Sequence, residues 1–178
     1  MEEIEVPLEK GIEHIQENAI EHGGWFGRVA LSTAMIAVIA AIAALMAGHH
    51  SNEALISEIQ SSDLWAHYQA KGIKSSILTL KTDLFTEMGK KVKEEDKKKQ
   101  IEYSRDKEEL AEKAREKAKE SEHHLKSHIV LANSVTFFQI SIAISAIAVL
   151  TRRKSFWMLS LVIAFGGFLF FIKGWLFI

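Results

Sequence analysis

Three long apolar segments constrain the fold of this chain more than any other feature of its sequence. They cover 29–48, 129–150 and 156–178, and each is nearly free of charged residues. A helix of about 20 apolar residues is long enough to cross the roughly 30 Å hydrocarbon core of a bilayer. The sequence therefore predicts an all-α integral membrane protein with three transmembrane helices.

The residues before the first apolar segment are acidic and predict a short amphipathic helix that packs on protein beside the membrane. Pro7 suits a first helical position and a Gly-Gly pair suits a stop, which gives a helix over 7–22 within an N-terminal region 1–24. Its glutamates recur every four residues, at Glu9, Glu13, Glu17 and Glu21. Because a signal peptide has a basic leading region, we interpret 25–48 as a membrane anchor, transmembrane helix 1.

The charged stretch 49–128 predicts an extramembrane helical hairpin. It holds 16 basic and 16 acidic residues, a balance that is typical of a solvated helical surface and argues against nucleic-acid binding. An apolar, heptad-like face follows the first arm at Ile59, Ala66, Ala70, Ile73, Ile77, Leu80 and Leu84. A small-residue face follows the second arm at Ala111, Ala114, Ala118, Ser121 and Leu125. With a turn over 89–93, the arms fold back as an antiparallel, coiled-coil-like pair on the order of 55 Å long.

The short loop 151–155 between the second and third segments predicts the orientation. Arg152, Arg153 and Lys154 place three positive charges there, and positively charged short loops favour the cytoplasm. We therefore expect this loop and the N-terminus to be cytoplasmic and the hairpin to lie on the opposite side. The transmembrane segments that flank the loop are 129–150 and 156–178.

Histidines at both ends of the predicted hairpin form the candidate metal site. His49 and His50 follow the first apolar segment, whereas His124 and His128 precede the second, with Glu120 one helical turn before His124. Imidazoles with a carboxylate are a ligand set for a divalent transition metal such as zinc, nickel or copper. Two alternatives stay open: a pH switch, because clustered histidines repel one another when protonated, and simple tolerance of histidine in the headgroup region.

Small and polar residues within the apolar segments are candidates for helix packing or for lining a pore. The first segment carries a small-residue face at Ala30, Ala34, Ala37, Ala41, Ala44 and Gly48, and such faces let helices approach closely in lipid. The second segment carries Asn133, Thr136 and Gln139. Polar side chains there either form hydrogen bonds between helices or line a conduction path.

Four short motifs resemble a known family. They are Gly48–Ala54, Trp65–Lys74, Val135–Ile140 and Ala146–Arg153, which read GHHSNEA, WAHYQAKGIK, VTFFQI and AIAVLTRR. As a set they resemble the bacterial membrane-protein family of domain of unknown function 4337 over nearly the whole chain. The resemblance implies a three-span architecture with a helical insertion, in a bacterial inner membrane, and it implies no activity. His67 stands where the family pattern favours an aromatic residue, so the resemblance gives His67 no special role.

Taken together, these features favour a structural or interaction protein over an enzyme. The chain has no cysteine, no Ser-His-Asp arrangement and no phosphate-binding glycine loop, so we expect no catalysis and no cofactor beyond a divalent metal. We expect a self-associating membrane scaffold, a homo-oligomer whose hairpin also offers a surface to a protein partner. The alternative is an oligomeric ion or metal channel with the polar residues of the second segment on its path and histidines at its mouth.

Overall fold

Three long helices make up nearly all of residues 24–176, which are the residues that the computed structural model describes. Helix α1 is Trp25–Glu87, α2 is Glu94–Thr151 and α3 is Lys154–Leu176. No strand occurs in this range, which confirms the all-α prediction for it. The predicted helix over 7–22 and the last two residues of the third apolar segment lie outside the described residues. By length and composition, each of the three helices could cross a membrane.

Both connections between helices are closed by the same hydrogen-bond pattern. After α1, the amide of Lys90 donates to the Phe85 carbonyl and the amide of Gly89 donates to the Thr86 carbonyl. Gly89 has a φ of 66°, as a Schellman motif requires of the residue that follows the helix. The predicted turn over 89–93 is confirmed.

After α2, Arg152 takes the position that Gly89 takes after α1. The amides of Arg152 and Arg153 donate to the carbonyls of Val149 and Ala148, and Arg152 has a φ of 55°. A left-handed conformation costs a residue with a Cβ about 1 kcal/mol relative to glycine. Since Thr151 ends α2 and Lys154 begins α3, the loop is shorter than the predicted 151–155.

The described residues fall into two units. The bundle unit comprises 24–51 and 125–176, and the hairpin unit is Asn52–His124. Within each unit, the buried residues of α1 recur at alternating spacings of three and four, the spacing of a helix that packs along a partner helix. In the bundle unit these residues are Val29, Thr33, Ile36, Ala40, Ala43, Ala47 and His50. In the hairpin unit this spacing covers Ala54, Ser57 and Ser61, and the next buried residue of α1 is Leu78.

The core of the bundle unit joins all three helices. One cluster consists of Ile36, Ala40, Ala43, Phe138, Ile142 and Ala164. A second consists of Val29 and Val149, with Trp25 and Trp157 packed against them. The indole Nε1 of Trp157 donates to the Ser32 hydroxyl at 3.2 Å, which connects α3 to α1.

Small residues line the contact between α2 and α3. The Ser134 hydroxyl donates to the Gly167 carbonyl at 2.9 Å, and the Ser141 hydroxyl donates to the Ser160 carbonyl at 2.7 Å. The Ser145 hydroxyl donates to the Ser160 hydroxyl at 2.9 Å. Hydroxyl groups that reach the backbone of a neighbouring helix require the two backbones to approach closely, which serine and glycine allow.

In the hairpin unit, the two arms pack side by side in opposite chain directions. The Ser61 hydroxyl donates to the Ala114 carbonyl at 2.9 Å, and the Ser121 hydroxyl donates to the Ala54 carbonyl at 2.8 Å. Nearer the turn, Lys81 binds both carboxylate oxygens of Asp96 at 2.9 and 2.7 Å. Of the predicted small-residue face of the second arm, Ala114 and Ser121 are buried, Ala111 and Ala118 are partly buried, and Leu125 is exposed.

Candidate interaction surfaces

The predicted polar residues of α2 lie on the outside of the bundle unit. Asn133, Thr136 and Gln139 are all exposed. The Thr136 hydroxyl donates to the Ala132 carbonyl of its own helix at 3.0 Å, so its hydrogen-bonding capacity is partly used within α2. The side-chain amides of Asn133 and Gln139 face away from the core of a segment that is otherwise apolar. Together these three residues form what we name the polar row.

The predicted small-residue face of α1 is divided between the inside and the outside of the bundle unit. Ala37 packs against the core cluster, whereas Ala41, Ala44 and Gly48 are exposed. The alanines that are buried, Ala40, Ala43 and Ala47, come one position earlier in the chain. Substitution at Ala41 therefore tests contacts outside the chain, and substitution at Ala37 also disturbs the fold.

The bundle unit contains three of the predicted metal ligands, and they differ in exposure. His49 is exposed and His50 is buried, and their ring centroids lie 5.7 Å apart. Nδ1 of His128 lies 2.8 Å from the Ala47 carbonyl oxygen. Because a carbonyl only accepts, Nδ1 of His128 is the donor in this contact.

The hairpin unit contains the other two predicted ligands. Glu120 accepts a hydrogen bond from Lys117 at 2.6 Å. That hydrogen bond lowers the pKa of Glu120 below its ordinary value, with smaller contributions from the charges of Lys117 and His124. His124 is partly buried, and its ring centroid lies 6.0 Å from that of His123.

Across 24–176, no group of three or more histidine, aspartate or glutamate side chains is placed to hold a metal ion. Metal binding by His49, His50, Glu120, His124 and His128 stays a prediction, as does the pH switch.

The predicted apolar face of the first hairpin arm is exposed, and we name it the outer stripe. Its members are Ile59, Ala66, Ala70, Ile73, Ile77, Leu80 and Leu84. Leu80 is 69% exposed and Ile73 is 62% exposed. The buried residues of the same arm are Ala54, Ser57, Ser61 and Leu78. The outer stripe is thus an apolar face with no buried member in the hairpin unit.

Ion pairs form on other parts of the hairpin surface. Between the arms, Lys71 pairs with Asp106, and this hydrogen bond raises the pKa of Lys71. Along the second arm, Lys113 donates to Glu109 at 2.5 Å, which lowers the pKa of Glu109 and raises that of Lys113. Lys99 and Glu95 form a similar pair at 2.7 Å. The spacing of four residues in the last two pairs is the one that supports isolated helices.

Sequence reasoning missed the serines that join α2 to α3. Ser134, Ser141, Ser145 and Ser160 are completely buried. A signal was present, because Ser127, Ser134 and Ser141 recur every seven residues, the spacing of one face of a packed helix. Their hydroxyls satisfy backbone and side-chain acceptors within the bundle unit, so this face is a structural contact and leaves the polar row as the outward polar feature of the apolar segment 129–150 of α2.

The comparison with protein families identifies the family of this chain. The family model described as domain of unknown function (DUF4337) matches residues 25–177, which confirms the resemblance carried by the four motifs. The comparisons with curated proteins and with solved structures gave no match.

Proposed function

We propose that this chain, which belongs to the family of domain of unknown function 4337, spans a membrane with α1, α2 and α3 and self-associates there as a scaffold. The single observation that carries the proposal is the exposed polar row. In lipid, an amide side chain without a hydrogen-bond partner is unfavourable. Asn133 and Gln139 gain partners when a neighbouring copy packs against this face of α2.

The exposed end of the small-residue face of α1 supports the same proposal. Ala41, Ala44 and Gly48 are exposed, and small residues at a lipid-facing surface let a neighbouring helix approach closely. A helix that contacts only lipid does not need a small-residue face, because no second helix packs against it. We therefore assign it, with the polar row, to contacts between copies.

The loop between α2 and α3 supports the proposed orientation. Arg152 adopts a left-handed conformation that glycine adopts at lower cost, by about 1 kcal/mol. A positive charge at this place in a short loop anchors it on the cytoplasmic side. The proposed topology has the loop and the N-terminus in the cytoplasm and the hairpin unit on the other side of a bacterial inner membrane.

Resonance energy transfer between labelled copies in liposomes tests self-association. The chain has no cysteine, so one introduced at the exposed Ser155 can carry either a donor or an acceptor dye. We expect efficient transfer for the otherwise unchanged chain. The double change Asn133→Leu and Gln139→Leu should weaken association by about 1 kcal/mol or more, since hydrogen bonds between helices in lipid contribute about 0.6 to 2 kcal/mol each.

The matched control is Thr136→Val, which keeps the shape of a side chain whose hydroxyl already bonds within α2. Transfer should be retained in this variant. Absence of transfer in the unchanged chain, at a protein density where a known dimer shows it, contradicts the proposal.

A channel is the second candidate, and the exposed polar row is again the observation in its favour. In one copy the row faces outward, so a conduction path would need several copies arranged with their rows around a common axis. An ion-flux measurement in the same liposomes separates the two functions. A scaffold passes no ions, whereas flux that falls with Gln139→Leu favours the channel.

A further inference from the structure

The outer stripe of the hairpin unit is an exposed apolar helix face. In water, an exposed apolar face of this size favours association with another apolar surface. Here Ile77 is 61% exposed and Leu80 is 69% exposed, whereas Leu78 of the same arm is buried. We propose that the outer stripe binds the outer stripe of a second copy of this chain, as a parallel coiled coil over 66–84.

The spacing of the stripe points to a helix as the partner. From Ala66 to Leu84 the apolar residues alternate at four and three, which is a strict heptad repeat. A straight helix drifts by about 20° per heptad from such a repeat, so the repeat stays on one line only when two helices wind around each other. A flat surface such as a membrane places no such demand on the spacing.

A second copy supplies the matching helix. This step depends on the proposed function, because copies inserted in one membrane in one orientation have their α1 helices parallel. Each outer stripe then begins the same number of residues after the same apolar segment of a continuous helix, Trp25–Glu87. Each residue of the outer stripe therefore lies opposite the same residue of the second copy, as in a parallel coiled coil in register.

The residues that flank the stripe favour the parallel arrangement. The positions after Ala66, Ile73 and Leu80 are His67, Lys74 and Lys81, and those before Ala70, Ile77 and Leu84 are Gln69, Ser76 and Asp83. In a parallel pair, the residues that precede the stripe positions of one copy face the residues that follow them on the second copy. Gln69 then meets Lys74 and Ser76 meets Lys81 of the second copy, so no like charges face each other. In an antiparallel pair the basic set would face itself.

Asp63 sets the N-terminal limit of the contact. It lies on the same face, between Ile59 and Ala66, and it is exposed. In a parallel pair it would meet the same carboxylate of the second copy, and like charges at such positions repel. The uninterrupted part of the stripe, from Ala66 to Leu84, is therefore the contact, and Asp63→Ile should lengthen it.

Disulfide cross-linking of the full chain in liposomes tests this arrangement. Ile77→Cys places equal residues of a parallel pair close enough for a disulfide, which needs Cα atoms within about 7 Å. Ser104→Cys, at an exposed position of the second arm, is the matched control. After mild oxidation, we expect roughly fivefold more of the dimer, at twice the 20.0 kDa chain mass, from Ile77→Cys than from the control, because proximity governs disulfide formation.

Two further variants sharpen the test. Adding Leu80→Glu to Ile77→Cys should reduce the dimer to the level of the control, and adding Asp63→Ile should increase it. Both positions are exposed in the single chain, so neither change disturbs the core of the hairpin unit.

The outcomes separate this inference from the proposed function. Equal cross-linking of Ile77→Cys and Ser104→Cys indicates random collision and overturns the inference. Absence of cross-linking at Ile77→Cys, with energy transfer between copies retained, means that lipid or another protein covers the outer stripe; this also overturns the inference but leaves self-association intact. Loss of both signals overturns both proposals.

Discussion

The bundle unit and the hairpin unit pack helices with the same spacing but with different side chains. In the bundle unit, buried serines and glycines between α2 and α3 accompany an apolar core around Phe138 and Ile142. In the hairpin unit, a seam at Ser61 and Ala114 is joined by ion pairs. Helix geometry thus sets which positions are buried, and the surroundings of each unit set which residues occupy them.

The outward faces of the two units differ more than their inward faces. Large apolar side chains such as Leu31, Val162 and Phe165 cover the bundle unit, as lipid would favour. Charged residues predominate on the hairpin unit outside the outer stripe, although Leu55, Ile56, Met88 and Ile101 are also exposed. In the proposed membrane arrangement, lipid covers the apolar surface of the bundle unit, whereas the outer stripe in water needs a protein partner.

The largest expected effect comes from adding one methyl group to the close contact between α2 and α3. An ideal Cβ at Gly167 would lie 3.0 Å from the Phe137 Cβ and 3.1 Å from the Phe138 ring, whereas one at Gly166 would lie 3.7 Å from Phe137. Because Phe138 is buried and has little room to move, Gly167→Ala should destabilise the bundle unit by about 1 to 3 kcal/mol.

Gly166→Ala is the matched control and should be neutral or slightly stabilising, since alanine favours a helix over glycine. Thermal unfolding in detergent measures both. Equal unfolding temperatures for the two variants would show that the contact between α2 and α3 is looser than the serine and glycine contacts indicate.

A smaller effect is expected from removing an ion pair of the hairpin unit. Asp96 is mostly buried, accepts two hydrogen bonds from Lys81 and lies in the first turn of α2, where a negative charge is favourable. Asp96→Ala should destabilise the hairpin unit by about 1 kcal/mol. In this variant, hydrogen exchange should be faster than in the unchanged chain for peptides from the hairpin unit, and it should be unchanged for peptides from the bundle unit. Asp83→Ala, at an exposed aspartate of the same unit, should leave the exchange unchanged; an equal response of both variants contradicts a role for the pair.

The smallest effect is the pH dependence of the exposed ion pairs. Hydrogen bonds from lysines lower the pKa of Glu95 and Glu109 below their ordinary value of 4.5. Their contribution to stability is therefore present above pH 4.5 and is lost as the pH falls through the lowered values. Lys99 and Lys113 have pKa values raised above 10.5, so their contribution is present below pH 10.5 and is lost as the pH rises through the raised values.

Hydrogen exchange of the hairpin unit should thus be slowest between these limits and should accelerate slightly beyond them, after correction for the intrinsic pH dependence of exchange. Salt should weaken the effect because the pairs are exposed. Peptides from the core of the bundle unit serve as the internal reference. A hairpin response no greater than that of the reference would mean that these pairs contribute nothing measurable.

The sequence predicted the three apolar helices, the turn at Gly89 and most of the contact face of the second hairpin arm. Those features depend on local signals: long apolar runs, a glycine that follows a helix, and alanines spaced along one face. Each of these signals comes from residues that lie close together in the chain. At the loop after Thr151, the predicted helix boundaries differ from the observed ones by only a few residues.

The packing face of α1 could not be predicted in the same way. Alanines occupy adjacent positions, such as Ala40 and Ala41 or Ala43 and Ala44, so two faces one position apart are equally small. Contacts with Phe138 and Ile142 of α2 select one of them.

The buried serines were missed because a hydroxyl signals burial only when its acceptor on the neighbouring helix is known. The histidine set was predicted because the two ends of a hairpin meet, and its members differ in exposure and in their hydrogen-bond partners.

The most direct test of self-association is native mass spectrometry of the full chain released from detergent micelles. The account predicts a defined assembly at a whole multiple of the 20.0 kDa chain mass, which Asn133→Leu combined with Gln139→Leu converts to smaller species. A single chain as the only species, under conditions that preserve other membrane oligomers, would contradict it.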